Sequence, residues 1–576
     1  MSYLDDDALA RALCLIDRVW QMTEAGPWTI SDRERPIDRL PDLSEAAAIA
    51  RSARAGALVA DIDTIDASPL PHDVATTLAV ARMNAARWAR EGEWYWLVFD
   101  PVKAGFFAMF APTAYAGGFL LGSYRTLFAS FMFESFGDVD RYLGLVSDFA
   151  RLVRQFDART KGQAERGIRM PRAQLDQAIV LMTGLKEASA QMLDVNPSRL
   201  AAVGGPAACK PILARIADEV DGAFDALLAT LNDPDYRRLA PDTVGLSQYP
   251  GGAELYAELA RMHLTLDMTP EQIHQAGHDR MARVRAQMQG LFDEIGFVGN
   301  APAYLQKIEA DPAWRAEGED AIGAFFRRYI DRIAPHIGDY FAFKPKADHG
   351  VAALPAALSG SMTFGYYEPP SPIQEKGRFI FNVQNLSRNA LPNIGALNYH
   401  ELVPGHHFHL ASQRENDLLH PLRKASFINA YNEGWAEYAA TLAGEMGMYI
   451  EPEEKFGRMM MDAFLTCRLV VDTGMNALGW SLDQARDYMR ENGFMPEAEV
   501  CSESIRYSCD IPGQSLAYKL GDTQLLRMRE TMRVKLGDRF DIRDFHDVVL
   551  KPGALPLPLV AANVEAATER LLAQVQ

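Results

Sequence analysis

Four of the chain's twelve histidines, His400, His406, His407 and His409, fall within ten residues, and Pro404-Gly405 sits in their midst. The string opens as His400-Glu401-x-x, like the H-E-x-x-H pattern in which histidines four apart share a helical face and bind one zinc. Position 404 is instead proline, and the next histidines stand six and seven residues after His400. On an unbroken helix, six residues turn about 600° and rise ~9 Å, which points the two rings apart. Seven residues restore the face but leave a rise of ~10.5 Å, too long for metal bonds of about 2.0–2.1 Å. Pro404 lacks an N–H, and its ring clashes with the His400 carbonyl four residues back, so the helix has to break there. With Gly405 beside it, a local bulge lets His406 take the place of the second histidine. Spacing alone equally allows a polar helix end whose histidines cap carbonyls.

A third ligand follows in Tyr431-Asn432-Glu433-Gly434-Trp435-Ala436-Glu437-Tyr438. Two histidines and a carboxylate leave a fourth zinc position open, as catalysis requires. Glu433 and Glu437 are four apart and share a face, so one can ligate while the other orients a histidine. The competing reading is two solvated acids on a surface helix. Trp435 and Leu442 argue for burial, where an unpaired acid is costly.

Elsewhere the patterning is mainly helical. Thr269-Pro270-Glu271-Gln272 combines an N-cap, a first-turn proline and a capping-box glutamine. Ile273, Met281, Val284, Met288 and Leu291 then form one apolar face. Similar patterns cover 142–156, 321–333, 425–446 and 522–536, and the helix at 321–333 is expected to stop before Pro335. Residues 378–383 carry the best strand signal, so a small sheet is expected beside the site. Concentrated Pro, Gly and Asp at 232–252 suggest a boundary between an N-terminal helical region, 1–240, covering the cleft, and a catalytic region, 241–576. Met459-Met460-Met461 reads as adaptable core. His274 and His278, without an accompanying H-E-x-x-H glutamate, read as structural.

The 58 basic and 76 acidic residues give a net charge of -18, which argues against a nucleic-acid partner. Five cysteines without a C-x-x-C fit a reducing compartment, and the acidic N-terminus does not resemble a secretion signal. A cytoplasmic location is therefore expected. Residues 104–124 are uncharged, but Pro112, Gly117 and Gly118 make them a poor membrane span. They read as a buried, small-residue-rich segment near a cleft.

Three ordered motifs carry a family resemblance: His400-Glu401-Leu402-Val403-Pro404-Gly405-His406, Glu433-Gly434-Trp435-Ala436, and Pro512-Gly513-Gln514-Ser515-Leu516-Ala517-Tyr518-Lys519-Leu520-Gly521. Tyr366-Tyr367-Glu368-Pro369-Pro370-Ser371 and Phe381-Asn382 add to them. The chain resembles the bacterial domain-of-unknown-function 885 (DUF 885) family, metallopeptidase-like proteins related to helical gluzincins. The resemblance is strong over 240–535, fainter over 130–230, and says little of the first hundred residues. It implies a large helical metallopeptidase-like fold with a deep cleft, zinc (Zn2+) on His400, His406 and Glu433, and Glu401 as general base. Where relatives often place an acid three residues beyond an apolar one after E-G-W-A, this chain has Glu437 and Ala440. That departure leaves the identity of the orienting carboxylate open between Glu437 and another group; His407 is a further candidate for supporting the ligands.

Hydrolysis also needs a group to stabilise the oxyanion. Tyr518 is the leading candidate and Tyr507 the second. Arg506 and Lys519 are candidates for a substrate carboxylate, with solvated cations near a helix end as the plain alternative. Tyr366, Tyr367 and Asn382 are candidate cleft residues. The leading expectation is a zinc hydrolase of amide bonds, most simply a peptidase for short peptides. An amidohydrolase or lyase acting on a non-peptide metabolite keeps the metal but changes the substrate. A catalytically inactive binding protein is the reading from another class. Homodimerisation stays open.

Overall fold

Capping boxes start three of the long helices. Ser135 and Asp138 close a capping box that opens α1, Phe136–Glu165. Its buried face includes Tyr142, Leu145, Phe149 and Phe156, and it packs against α2, Gly222–Leu231. The structure, a computed structural model, describes residues 3–23, 37–103, 105–193, 195–354, 364–371 and 374–573. Met1 and Ser2, at the head of the acidic N-terminus, and Ala104, first residue of the uncharged stretch, lie outside the described residues.

The chain divides into two units, Met1–Tyr256 with Ile505–Pro512, and Ala257–Ser504 with Gly513–Gln576. The first unit is helical. Within it, Phe107, Phe110, Leu121 and Tyr124 of the uncharged stretch are buried. A Cβ on Gly117 would lie 2.4 Å from the Ala111 carbonyl oxygen and 2.7 Å from the Phe156 ring, hence the small residue there. No helix among the described residues is long and apolar enough to cross a membrane.

The second unit carries the motifs. Thr269 and Gln272 form the expected capping box at the start of α3, Pro270–Ile295, which ends at left-handed Gly296. Met281, Val284, Met288 and Leu291 pack with Phe456, Met460 and Cys467 in one core cluster. Helix α4, Gly318–Ile333, stops before Ala334-Pro335, because proline cannot continue its hydrogen bonds. Three strands follow: β1, His349–Ala353; β2, Gly365–Glu368; and β3, Gly377–Phe381. Their order is β1-β3-β2, with β1 parallel and β2 antiparallel to β3. Phe379 and Phe381, two apart on β3, both pack on Phe326 of α4, with ring centroids 5.3 and 5.5 Å away.

The site helices are α5, Ile394–Glu401; α6, His406–Glu415; α7, Asn429–Glu445; α8, Pro452–Asn476; and α9, Ala517–Leu536. The fold is mainly helical, with a small three-stranded sheet. The helix expected over 425–446 begins only at Asn429, where the Asn432 side chain accepts the N–H of Ile428.

Two motif glycines bring α7 and α9 together. A Cβ on Gly434 would lie 2.6 Å from the backbone of Gly521, and one on Gly521 would lie 2.1 Å from the Ala430 carbonyl oxygen. Each contact is with backbone, which cannot rotate aside as a side chain can. Gly434→Ala is therefore expected to destabilise by about 1–3 kcal/mol through overpacking. Gly290→Ala, on α3 with open space around the added methyl, is expected to stabilise by about 0.5–1 kcal/mol. Thermal denaturation of both variants checks the opposite signs.

Candidate metal centre

The break after His400 is built by Pro404 and Gly405. Leu402 N–H still bonds to the Asn398 carbonyl at 2.8 Å, and α6 then begins anew at His406. Gly405 folds back onto the end of α5 so closely that a Cβ would sit 1.9 Å from the His400 carbonyl oxygen and 2.4 Å from that of Tyr399. Any side chain would push α5 and α6 apart. The Trp435 indole N–H donates to the Pro404 carbonyl at 2.9 Å, tying the bulge to α7.

This geometry brings His400, His406 and Glu433 together. One ligand atom from each lies within 4.8 Å of the others. Glu433 Oε2 is 3.3 Å from His406 Nε2 and 3.8 Å from His400 Nε2. A tetrahedral ion with bonds of 2.0–2.1 Å needs ligand separations of about 3.3–3.4 Å, so the side chains stand close to a ligating arrangement. The donor set, two imidazoles and one carboxylate, also suits zinc.

Each histidine has its other nitrogen engaged. His400 Nδ1 lies 3.0 Å from Glu437 Oε1, and His406 Nδ1 lies 3.2 Å from His409 Nε2. Glu437 thus fills the orienting role left open at the motif's departure. It is fully buried, and Lys519 and Arg458 approach its other oxygen at 2.8 and 3.1 Å. Burial pushes the Glu437 carboxyl upward, but Arg458, Lys519 and His400 outweigh it and hold the group well below the usual carboxylate range. It is therefore an anion, able only to accept from His400 Nδ1–H, which leaves the lone pair on Nε2.

The charges continue inward. Lys519 also meets Asp522 at 2.9 Å and Asp462 at 3.4 Å, while Arg280 bridges Asp462 at 2.9 Å and Asp522 at 3.1 Å. Glu437, Asp462 and Asp522 are balanced by Lys519, Arg458 and Arg280, which is what makes so many buried charges tolerable.

Glu401 ends α5, half-buried beside the ligands. Burial raises its carboxyl above the usual range, against the pull of His400 and His406 and with a small push from Glu433. The Tyr518 ring lies parallel to that of His400, with centroids 6.0 Å apart and an interplanar angle of 14°, and the Arg468 guanidinium is 4.7 Å from the Tyr518 ring.

The family description "bacterial protein of unknown function (DUF885)" matches residues 21–564. The chain belongs to the DUF885 family. The match reaches well into the first hundred residues, beyond the motifs. No curated protein matches the chain. The crystal structure of a candidate lipoprotein from Colwellia psychrerythraea is similar, with a TM-score of 0.83 at 24% identity, over 98% of this chain and 99% of that one. A candidate lipoprotein of unknown function from Shewanella oneidensis has a TM-score of 0.72 at 19% identity, over 96% and 98%. At these identities the likeness is one of fold.

The structure places the remaining sequence-selected side chains of this DUF885 protein in varied settings. Lys519 is wholly buried among acids, so it is a counter-ion in the interior rather than a docking point for substrate carboxylates. Arg506 and Tyr507 belong to Ile505–Pro512, which packs with the N-terminal unit. There Arg506 lies 4.5 Å from the Tyr115 ring and Tyr507 is fully buried. Asn382 is also buried, its side-chain oxygen Oδ1 accepting the N–H groups of Gln384 and Asn385 as a helix cap. Tyr366 is half-buried on β2.

His407 faces away from the ligand cluster. Its Nε2 meets the Ala347 carbonyl at 3.1 Å and its Nδ1 the Tyr367 hydroxyl at 2.9 Å. Burial and the adjacent His349 push it down to about 3, so it stays neutral. Tyr367, whose ring stacks on His406 at 6.4 Å, is held by that hydroxyl bond. Sequence reasoning left His409, Arg280, Arg458, Asp462 and Asp522 without roles. The readable signal was charge inside otherwise apolar helices, with Arg458–Asp462 at i,i+4 and Lys519–Asp522 at i,i+3.

Lys519→Met is expected to cost about 3–5 kcal/mol, because it leaves buried carboxylates without their cation. Chemical denaturation measures this. Unchanged stability would mean that the network is not balanced as described.

Proposed function

We propose that this protein is a zinc-dependent hydrolase of amide bonds, most simply a peptidase for short peptides and akin to the gluzincins. The observation that supports the reading is the convergence of His400 Nε2, His406 Nε2 and Glu433, with the second nitrogen of each histidine held by another buried side chain. A structural zinc site usually has four protein ligands, whereas three leave a position for catalysis. Zinc bound there would polarise a carbonyl and make a water acidic enough to attack near neutral pH.

The chain's own groups supply the rest. Glu401 takes a proton from the attacking water and returns it to the leaving amine. Tyr518, carried beside His400 by ring stacking, donates a hydrogen bond from its hydroxyl to the carbonyl oxygen as that atom gains charge. All five cysteines are unpaired, which fits a reducing, cytoplasmic setting.

Protein purified without chelator is expected to carry about one zinc per chain, by analogy with other sites of this ligand set. His400→Ala, His406→Ala and Glu433→Ala should each lose most of it, while His407→Ala keeps it. Elemental analysis reads both. Zinc bound equally by Glu433→Ala and the parent would remove the site from the account.

Glu401→Gln should keep its zinc yet lose turnover by about 10²–10⁴-fold. The substrate for that assay comes from digesting a peptide library beside a panel of N-acyl metabolites. Unchanged turnover in Glu401→Gln would take this residue out of the chemistry.

A further inference from the structure

The two histidine ligands are supported differently. His400 Nδ1 faces the Glu437 carboxylate, which can only accept a hydrogen bond. His406 Nδ1 faces another imidazole, with His409 Nε2 at 3.2 Å. An imidazole can either donate or accept there, so this contact has a direction to be decided.

We propose that His409 is a positioning residue for the metal site, accepting a hydrogen bond at Nε2 from His406 Nδ1–H and so fixing the tautomer in which His406 Nε2 can ligate. The inference rests on the zinc reading above. Its logic is proton placement. A neutral His406 that offers its Nε2 lone pair to a metal must carry its proton on Nδ1. That proton points at His409 Nε2, which must then be unprotonated, so neutral His409 carries its own proton on Nδ1.

His409 Nδ1 is buried and has no hydrogen-bond partner among the described residues. An unpaired buried donor is a liability for folding, and an apolar ring of similar size would avoid it. Stability alone therefore does not account for a histidine here, but the need for an acceptor opposite His406 does. The local geometry is rigid: His409 is 2% exposed, stands three residues after His406 on α6, and has the Tyr431 ring edge-on at 6.0 Å. Its backbone N–H bonds to Gly405, within the bulge that places His406.

Zinc affinity of the full chain, measured by chelator competition, tests the proposal. His409→Phe keeps a planar ring but removes the acceptor, and is expected to weaken zinc about 10–100-fold. His409→Gln restores an acceptor oxygen and should recover most of that loss. Nitrogen-15 NMR of the zinc-loaded parent, labelled at histidine, should show His409 protonated on Nδ1 and bare at Nε2. This readout does not depend on a variant folding. Parent-like zinc affinity in His409→Phe, with zinc lost in Glu433→Ala, would overturn the proposal and leave the metal reading standing. A His409 protonated on Nε2 in the zinc-loaded protein would overturn it as well. Zinc bound alike by the parent and Glu433→Ala would remove the metal reading, and this proposal with it.

Discussion

The site depends on one buried anion, Glu437, which joins a candidate metal ligand to the interior of the protein. One oxygen receives His400; the other is shared by Lys519 and Arg458. The carboxylate could not stay ionised in that interior without its cations, and His400 would lose the fixed acceptor that sets its tautomer. Lys519 and Arg458 in turn need Asp462, Asp522 and Arg280 for balance. The network draws on α3, α7, α8 and α9, so the orientation of one imidazole is coupled to the packing of four helices.

Backbone proximity sets the remaining geometry. Gly405 lets α6 restart against the last carbonyls of α5, and Gly434 lets α9 reach the face of α7 that carries Glu433 and Glu437. Trp435, one residue on, bonds to the carbonyl of Pro404. The three motifs are thus three parts of one contact. H-E-x-x-P-G-H supplies the bulge, E-G-W-A holds it, and the glycine ending the third motif allows Tyr518 and Lys519 to approach.

Much of this was legible in the residues. Pro404 at the fourth position announced a broken helix, and Glu433 stood out because an acid beside tryptophan is costly to bury unpaired. The capping box at Thr269 and the stop before Pro335 are local chemistry, and both were readable. What escaped depends on contacts distant in sequence. Lys519 looked like an exposed cation because its partners Glu437 and Asp462 lie on other helices. Gly513, near the start of the third motif, has a φ of 83° and its N–H is held by Asp472, a contact 41 residues back in the chain. His409 was visible in the cluster, but its pairing with His406 Nδ1 appears only once α6 is in place.

On the reading proposed above, His400, His406 and Glu433 hold one metal ion through the two Nε2 atoms and a carboxylate oxygen. Anomalous diffraction from crystals of the chelator-free protein, recorded on both sides of the zinc absorption edge, tests it most directly. One strong edge-dependent peak is expected within about 2.0–2.2 Å of those three atoms, with His407 turned away. A peak on His407, or none at this site in crystals grown with zinc, would contradict it.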